Sequence, residues 1–206
     1  QYDIEMYPAV KNFILSFGME RVEQTGIKRI INGQEVKARK KTKHKWFETQ
    51  DPIAYWEDLA KPKIVWKRIG SILRFAYDED KSMCLDSTCF ATGKYVKFLC
   101  ALFNSKLGHF ILQDSPKTGT GDLLVSVQAI EPIHVPMPDE DFRSKIENDV
   151  DRILSAKKSN PQSDTSSEEH EIDRLVYELY GLTNGEVKII DPNETTVGSD
   201  DDLFKA

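Results

Sequence analysis

Midway along the chain the hydrophobic spacing changes from the alternation of strands to the three-to-four spacing of helices, and this change constrains the fold most. "KIVWKRIG" and "ILRFAYD" alternate apolar and polar residues about a turn predicted at Gly70–Ser71, and "CLDSTCFAT" reads as a further strand. "KYVKFLCALFNSKLGHFIL" then puts Val96, Leu99, Leu102 and Phe103 on one stripe, which predicts one amphipathic helix. "DLLVSV" and "IHVPM" read as short strands, closed by Pro136 and Pro138. Beyond them "DEDFRSKIENDVDRILSAKK" places Phe142, Ile146, Val150, Ile153 and Leu154 on one helical face, with three acids in its first turn. After the polar connector "SNPQSDTSSEE", Ile172, Leu175, Val176, Leu179 and Tyr180 form another stripe ending at Gly181. "TNGE" is a capping-box pattern that opens a last short turn. The pattern predicts an α+β fold: a mixed or antiparallel sheet with packed helices, followed by a helical spacer hairpin.

Upstream, Pro8 suits a first helical turn, and Val10, Phe13, Ile14 and Phe17 form an amphipathic stripe. "IKRIINGQEVKA" predicts a hairpin turning on Asn32–Gly33. "DPIAYWEDL" suits a short helix with Asp51 as N-cap and Pro52 at its first position. The expected organisation is a domain over 1–138, the hairpin over 139–190, and an acidic, disordered tail over 191–206. The opening "QYDIEMYPAV" lacks a starting Met and reads as an internal stretch of a longer chain. No window approaches 18 consecutive apolar residues, so no membrane span is expected.

Three cysteines, Cys84, Cys89 and Cys100, suggest reduced thiols and a cytoplasmic setting. Their spacing, with His109 nearby, superficially evokes a zinc site. Closed sites carry tight Cys-x2-4-Cys pairs, of which Cys84-x4-Cys89 is a single one with no second ligand pair beside it, and small buried thiols explain all three.

Charge divides the chain. Residues 1–134 carry 20 Lys/Arg against 16 Asp/Glu, whereas 135–206 carry 8 against 18, so an overall charge of −6 conceals a basic N-terminal portion. Residues 28–45 hold eight cations against the single acid Glu35, and 61–74 add Lys61, Lys63, Lys67, Arg68 and Arg74 with no acid. A solvated loop would account for one such run; two on an otherwise acidic chain point to a face that binds a polyanion.

The order of "WFETQDPIAYWEDLAKPKIVWKRIG", "LRFAYD", "LDSTCFATG", "KFLCALFNSKLGHFIL", "QAIEPIHVPMP" and "IDRLVYELYGLT" resembles the C-terminal specificity region of type IIG and TaqI-like restriction–modification DNA methyltransferases. These target-recognition domains are similar to those of type I specificity subunits, and the resemblance runs from about Tyr7 to Ile190. It implies that this chain reads double-stranded DNA. It further implies that an upstream catalytic domain of the same parent chain transfers a methyl group from S-adenosylmethionine to adenine N6, with a nuclease in some members. The chain lacks the Asn-Pro-Pro-Tyr/Phe motif and a glycine-rich cofactor loop after a strand, so no cofactor and no catalysis are expected of it alone. "PDEDFRSK" evokes a nuclease motif, but Asp139, Glu140 and Asp141 are better explained as a helix first turn.

Phosphate contacts set affinity, so Lys37, Arg39, Lys40, Lys41, Lys43 and Lys45 are candidates on a loop free to follow a backbone groove. Engagement of four to six predicts a salt slope of about −4 to −5. Lys67 and Arg68 belong to the second run. Gln34, Arg39, Gln50, Lys117 and Thr118 are polar candidates for base edges. Trp46, Phe47, Tyr55, Trp56 and Trp66 are expected to pack in the core rather than stack on bases. In "DSPKTGTGDLLVS", Gly119 and Gly121 permit close approach and Lys117, Thr118 and Thr120 supply donors. A plain connecting loop explains it equally; the resemblance, in which a glycine-bearing loop before the last strand lies near DNA, favours contact. The helical spacer, its apolar stripes partly open, is also where a homodimer is expected to form. A different class of function, a protein-assembly scaffold built on the helical hairpin, would leave the basic loops only to screen the acidic tail.

Overall fold

A computed structural model describes residues 3–51 and 54–194. The chain divides into two compact units, Gln1–Tyr55 and Trp56–Ala206. In the first, α1 (Pro8–Leu15) starts on proline as expected, and α2 (Met19–Val22) is a single turn. Strands β1 (Lys28–Ile31) and β2 (Gln34–Lys37) form an antiparallel hairpin in register Lys28↔Lys37 to Ile31↔Gln34. Its turn has Asn32 at φ 49° and Gly33 at φ 79°, the left-handed pair that an Asn-Gly hairpin requires. The α1 stripe is not covered: Val10, Phe13 and Phe17 are 49%, 65% and 55% exposed. Among the described residues of this unit the buried apolar side chains are Val22, Val36 and Ala38, too little to cover a helix face.

The second unit is built on an antiparallel sheet of order β5–β3–β6, with β3 at Lys63–Lys67, β5 at Phe75–Asp78 and β6 at Thr88–Thr92. Paired residues share a face, so Ile64, Tyr77 and Ala91, then Trp66, Phe75 and Cys89, line one side. Helix α3 (Val96–Asn104) covers that side, burying Phe98 and Leu102, and Phe75 stacks between Trp66 and Phe103 with ring centroids 5.5 and 5.1 Å away. Trp66 Nε1 donates to Val125 O at 2.8 Å, which satisfies its polar end. A second ribbon pairs β4 (Ile69–Gly70) with β7 (Leu123–Leu124).

The sequence predicted one long helix after β6; there are two, α3 and α4 (Lys106–Leu112), broken at Ser105. Ser105 is extended, caps α4 by accepting from Gly108 N at 3.1 Å, and donates to Leu102 O at 2.7 Å. Gly108 lets the two helices meet. A Cβ there would lie 2.2 Å from Leu102 O and 2.8 Å from Phe103 Cα, both backbone atoms that cannot swing aside. Gly108→Ala is therefore expected to destabilise the fold by about 3 kcal/mol, read as a lowered urea midpoint.

Helices α5 (Val127–Ile130), α6 (Glu140–Ser159), α7 (Ser166–Tyr180) and α8 (Asn184–Ile190) complete the unit. Their ends obey local rules. Asp139 caps α6 by accepting from Phe142 N at 2.8 Å, Gly181 closes α7 at φ 63°, and Thr183 with Glu186 forms the expected capping box. Helix α6 packs on α3 and α7, and α7 packs on α3 and α4. Ile146, Val150, Ile172, Leu175 and Val176 are buried in the same core as Trp66 and Phe98. The fold is α+β with antiparallel sheets.

Buried Asp173 accepts from Lys106 N at 2.8 Å, while Lys106 Nζ pairs with Asp191. Burial pushes the Asp173 carboxyl up to about 6, against the hydrogen bond and charge of Lys106. A raised acid pKa means the folded state holds its proton more tightly, so this group's contribution to stability falls as pH rises from about 4 to about 6. Asp173→Asn keeps an acceptor for Lys106 N and is expected to flatten that part of the stability profile, followed by urea melts across pH.

Three expected elements differ. Residues 54–57 turn, and only Asp58–Ala60 is helical, as a 3-10 turn; Pro52 lies outside the described residues. The Leu59 carbonyl accepts from Lys63 Nζ at 2.8 Å, and Tyr55 and Trp56 are exposed. "IHVPM" makes no ladder; its His134 carbonyl takes a hydrogen bond from Tyr180 Oη at 3.0 Å instead. "DLLVSV" is strand only at Leu123–Leu124, because α5 begins after Ser126. Of the tail, residues 195–206 lie outside the described residues, and Asp191 is buried.

Candidate nucleic-acid interface

The basic stretch after β2 is not a loose tether. Its backbone is pinned to residues 23–27: Ala38 N donates to Ile27 O at 2.9 Å, Gly26 N to Arg39 O at 2.8 Å, Arg39 N to Glu23 O at 3.1 Å and Thr42 N to Gln24 O at 3.2 Å. The return limb is held from inside by Gln24, whose side chain is buried. Gln24 Nε2 donates to Lys45 O at 2.8 Å and Glu48 O at 2.7 Å, and Gln24 Oε1 accepts from Thr42 Oγ1 at 2.5 Å. Arg39 donates to Trp46 O at 3.1 Å and Glu48 O at 2.9 Å. Nothing in the spacing of the sequence marks Gln24.

This network sorts the cations that composition counted alike. Arg39 is half-buried and turned onto carbonyl oxygens of its own loop. Lys40 pairs with Asp51, Lys28 with Glu35 at 2.8 Å, and Arg29 with Glu23. Lys37, Lys41 and Lys43 are exposed and, among the described residues, have no carboxylate within ion-pair distance. Lys45 is exposed too, its ammonium 5.5 Å from the Phe47 ring centroid. Gln34 is exposed at the start of β2 and Gln50 is half-buried. Trp46 and Phe47 are half-buried and meet edge to face at 5.4 Å; of the five aromatics expected in a core, Trp66 is buried there.

In the second unit the candidates gather on the β4–β7 ribbon. Arg68 O accepts from Val125 N at 2.9 Å, Gly70 pairs with Leu123, and Lys117 bridges Leu123 from the other side. Lys67 and Arg68 therefore lead into a ribbon whose far edge is bridged at Lys117, with Thr118 and the turn at Gly119 following it. Lys67, Arg68 and Lys117 are exposed. The Thr118 hydroxyl is already engaged, accepting from Asp122 N at 3.1 Å and lying 2.8 Å from Thr120 Oγ1. Gly121 at φ 88° makes the turn, whereas Gly119 has open space around it and no left-handed φ, so nothing in the turn itself demands glycine there. Of the other cations of this run, Lys61 pairs with Asp58 at 2.6 Å and fully buried Lys63 pairs with Asp78 at 2.7 Å, whereas Arg74 is exposed.

Burial pushes the Cys100 thiol up to about 11, so it stays protonated and packs as a small apolar group. Among the described residues, no three His, Cys, Asp or Glu side chains gather as a metal site would need, and no helix is long and apolar enough to cross a membrane.

An ordered cationic loop and a second basic ribbon, each on a small antiparallel scaffold, are the make-up of a module that binds a polyanion. A family model described as the TaqI-like C-terminal specificity domain matches residues 17–129, more than half of the chain, and the chain belongs to that family. Its role is therefore DNA recognition in restriction–modification. The matched span contains the pinned basic loop, the ribbon and the 117–122 turn. No curated protein matches the chain.

Proposed function

We propose that this chain reads one short double-stranded DNA sequence and so directs adenine-N6 methylation by a catalytic domain upstream in the same parent chain. The observation that carries this reading is the pinned loop, which presents Lys37, Lys41, Lys43 and Lys45 with no carboxylate partner among the described residues. Those four ammonium groups on the first unit are assigned to phosphates, and so, on the second unit, are Lys67, Arg68 and Lys117 of the ribbon. Gln34 and Gln50 are the side chains with paired donor and acceptor suited to a base edge. Open space at Gly119 admits close approach of a phosphate to the backbone.

S-adenosylmethionine would belong to the upstream domain. Helices α6 and α7, locked into the core of the second unit, would join the ribbon of that unit to the catalytic domain. The test has two arms. The isolated chain is used to enrich duplexes from a randomised pool, and native DNA from hosts with and without the parent gene is sequenced for N6-methyladenine. The reading expects the enriched motif and the gene-dependent methylated motif to coincide. Enrichment of no motif, or methylation of an unrelated one, would overturn it.

A further inference from the structure

We propose that Gln24 and Arg39 are positioning residues of the DNA-reading surface, which hold the cationic loop in its binding shape and do not themselves touch DNA. The proposal rests on the functional reading above. Sequence alone ranks Arg39 with the phosphate-binding cations and gives Gln24 no role at all.

The loop from Ala38 to Glu48 has neither helix nor strand to satisfy its backbone, yet three of its carbonyls, from Lys45, Trp46 and Glu48, are met by these two side chains. The Glu48 oxygen takes a hydrogen bond from both, so Gln24 and Arg39 form one network. Thr42 closes it from the other limb, its hydroxyl on Gln24 Oε1 and its amide N–H on Gln24 O. With Thr42 drawn inward, its neighbours Lys41 and Lys43 are exposed. The alternation that places two ammonium groups outward is thus set by one buried carboxamide. Ordering the loop during folding removes an entropy cost that would otherwise fall on binding, and it fixes the spacing of the cations against that of the phosphates.

Arg39 can be tested by separating its charge from its geometry. A single ammonium carries the charge but cannot reproduce the fork that reaches two carbonyls. Gln24→Leu removes the hydrogen bonds at nearly constant volume and no change of charge. The measurement is fluorescence anisotropy of the full chain with two labelled duplexes, the wild-type-enriched site and a scrambled one, over a range of salt.

For Gln24→Leu the proposal expects at least a tenfold loss on the enriched site, with affinity for the scrambled duplex and the salt slope unchanged. Arg39→Lys should lose as much despite keeping its charge, and Arg39→Gln should leave the slope where it was. If Arg39 met a phosphate instead, Arg39→Lys would bind like wild type and Arg39→Gln would reduce the slope by about 0.9; that pattern overturns the proposal. Retained discrimination in Gln24→Leu overturns it as well. Should Gln24→Leu fail to fold, Thr42→Val removes only the hydroxyl contact to Gln24 at matched shape. A folded Thr42→Val that discriminates fully would then be decisive against the idea, and a partial loss would support it. If wild type itself does not distinguish the duplexes, the functional reading fails and not merely the positioning role.

Discussion

Replacing Lys37, Lys41, Lys43 and Lys45 together by Gln is expected to lower duplex affinity about a thousandfold at 0.1 M salt, with little change in thermal stability. Each lysine that meets a phosphate contributes about 0.9 to the salt slope, so each is worth about 0.9 of a decade at that concentration. Four acting together approach 3.6 decades, and partial engagement brings this near three. The side chains can be removed cheaply because none donates a hydrogen bond to another of the described residues and each is exposed to solvent. Lys28 is the matched control. It lies in the same hairpin but is held by Glu35, and Lys28→Gln should change affinity by no more than a few fold. Anisotropy titrations at several salt concentrations give both quantities. A quadruple variant with the wild-type slope would remove the loop from the binding surface.

The second large effect concerns stability rather than binding. Lys63 sits on the sheet face opposite Trp66, fully buried, with Leu59 O at 2.8 Å and Asp78 Oδ2 at 2.7 Å. Asp78→Ala strands that ammonium without its counter-charge and is expected to cost about 3–5 kcal/mol in urea denaturation. Lys63→Met combined with Asp78→Leu should recover most of the loss, because apolar groups of similar size have no charge to desolvate. Burial pushes the Asp78 carboxyl up, but hydrogen bonds from Lys63 and from the backbone of Asp80, with the Lys63 charge, outweigh it and hold the group below the usual range. A depressed folded pKa contributes stability above the unfolded value of about 3.9, and that contribution is lost as pH falls through the folded value. The pair should therefore weaken only in acid below about pH 4. Lys63→Met should leave the salt slope of DNA binding untouched, which separates this buried cation from the exposed ones beside it.

What was legible in the sequence was local. Asn32–Gly33 encodes its own hairpin, and Asp139, Gly181 and Thr183–Glu186 mark helix ends through contacts within a few residues. The alternation of "KIVWK" and "FAYD" gave the sheet its two faces before any partner was known. Tertiary facts were hidden. The break at Ser105 could be suspected from a Ser-x-x-Gly spacing, but the need for glycine at 108 arises where two helix backbones meet. The α1 stripe was readable, whereas its lack of cover depends on how little apolar surface the rest of that unit offers. The interface was half visible for the same reason. Counting cations found the basic region, but Asp58 and Asp78, which neutralise Lys61 and Lys63, lie just outside the acid-free window of 61–74. Gln24 lies more than twenty residues from the carbonyl of Glu48 that it holds. A polar residue in a polar stretch announces no such role.

The central claim is that this chain distinguishes one duplex sequence from another, and a competition titration of the intact chain at 0.15 M salt tests it most directly. The duplex recovered by enrichment competes against one of the same length and base composition in scrambled order. A preference of about a thousandfold or more is the expected outcome, in the range that separates specific from non-specific DNA binding. Equal competition by the two duplexes would contradict the account.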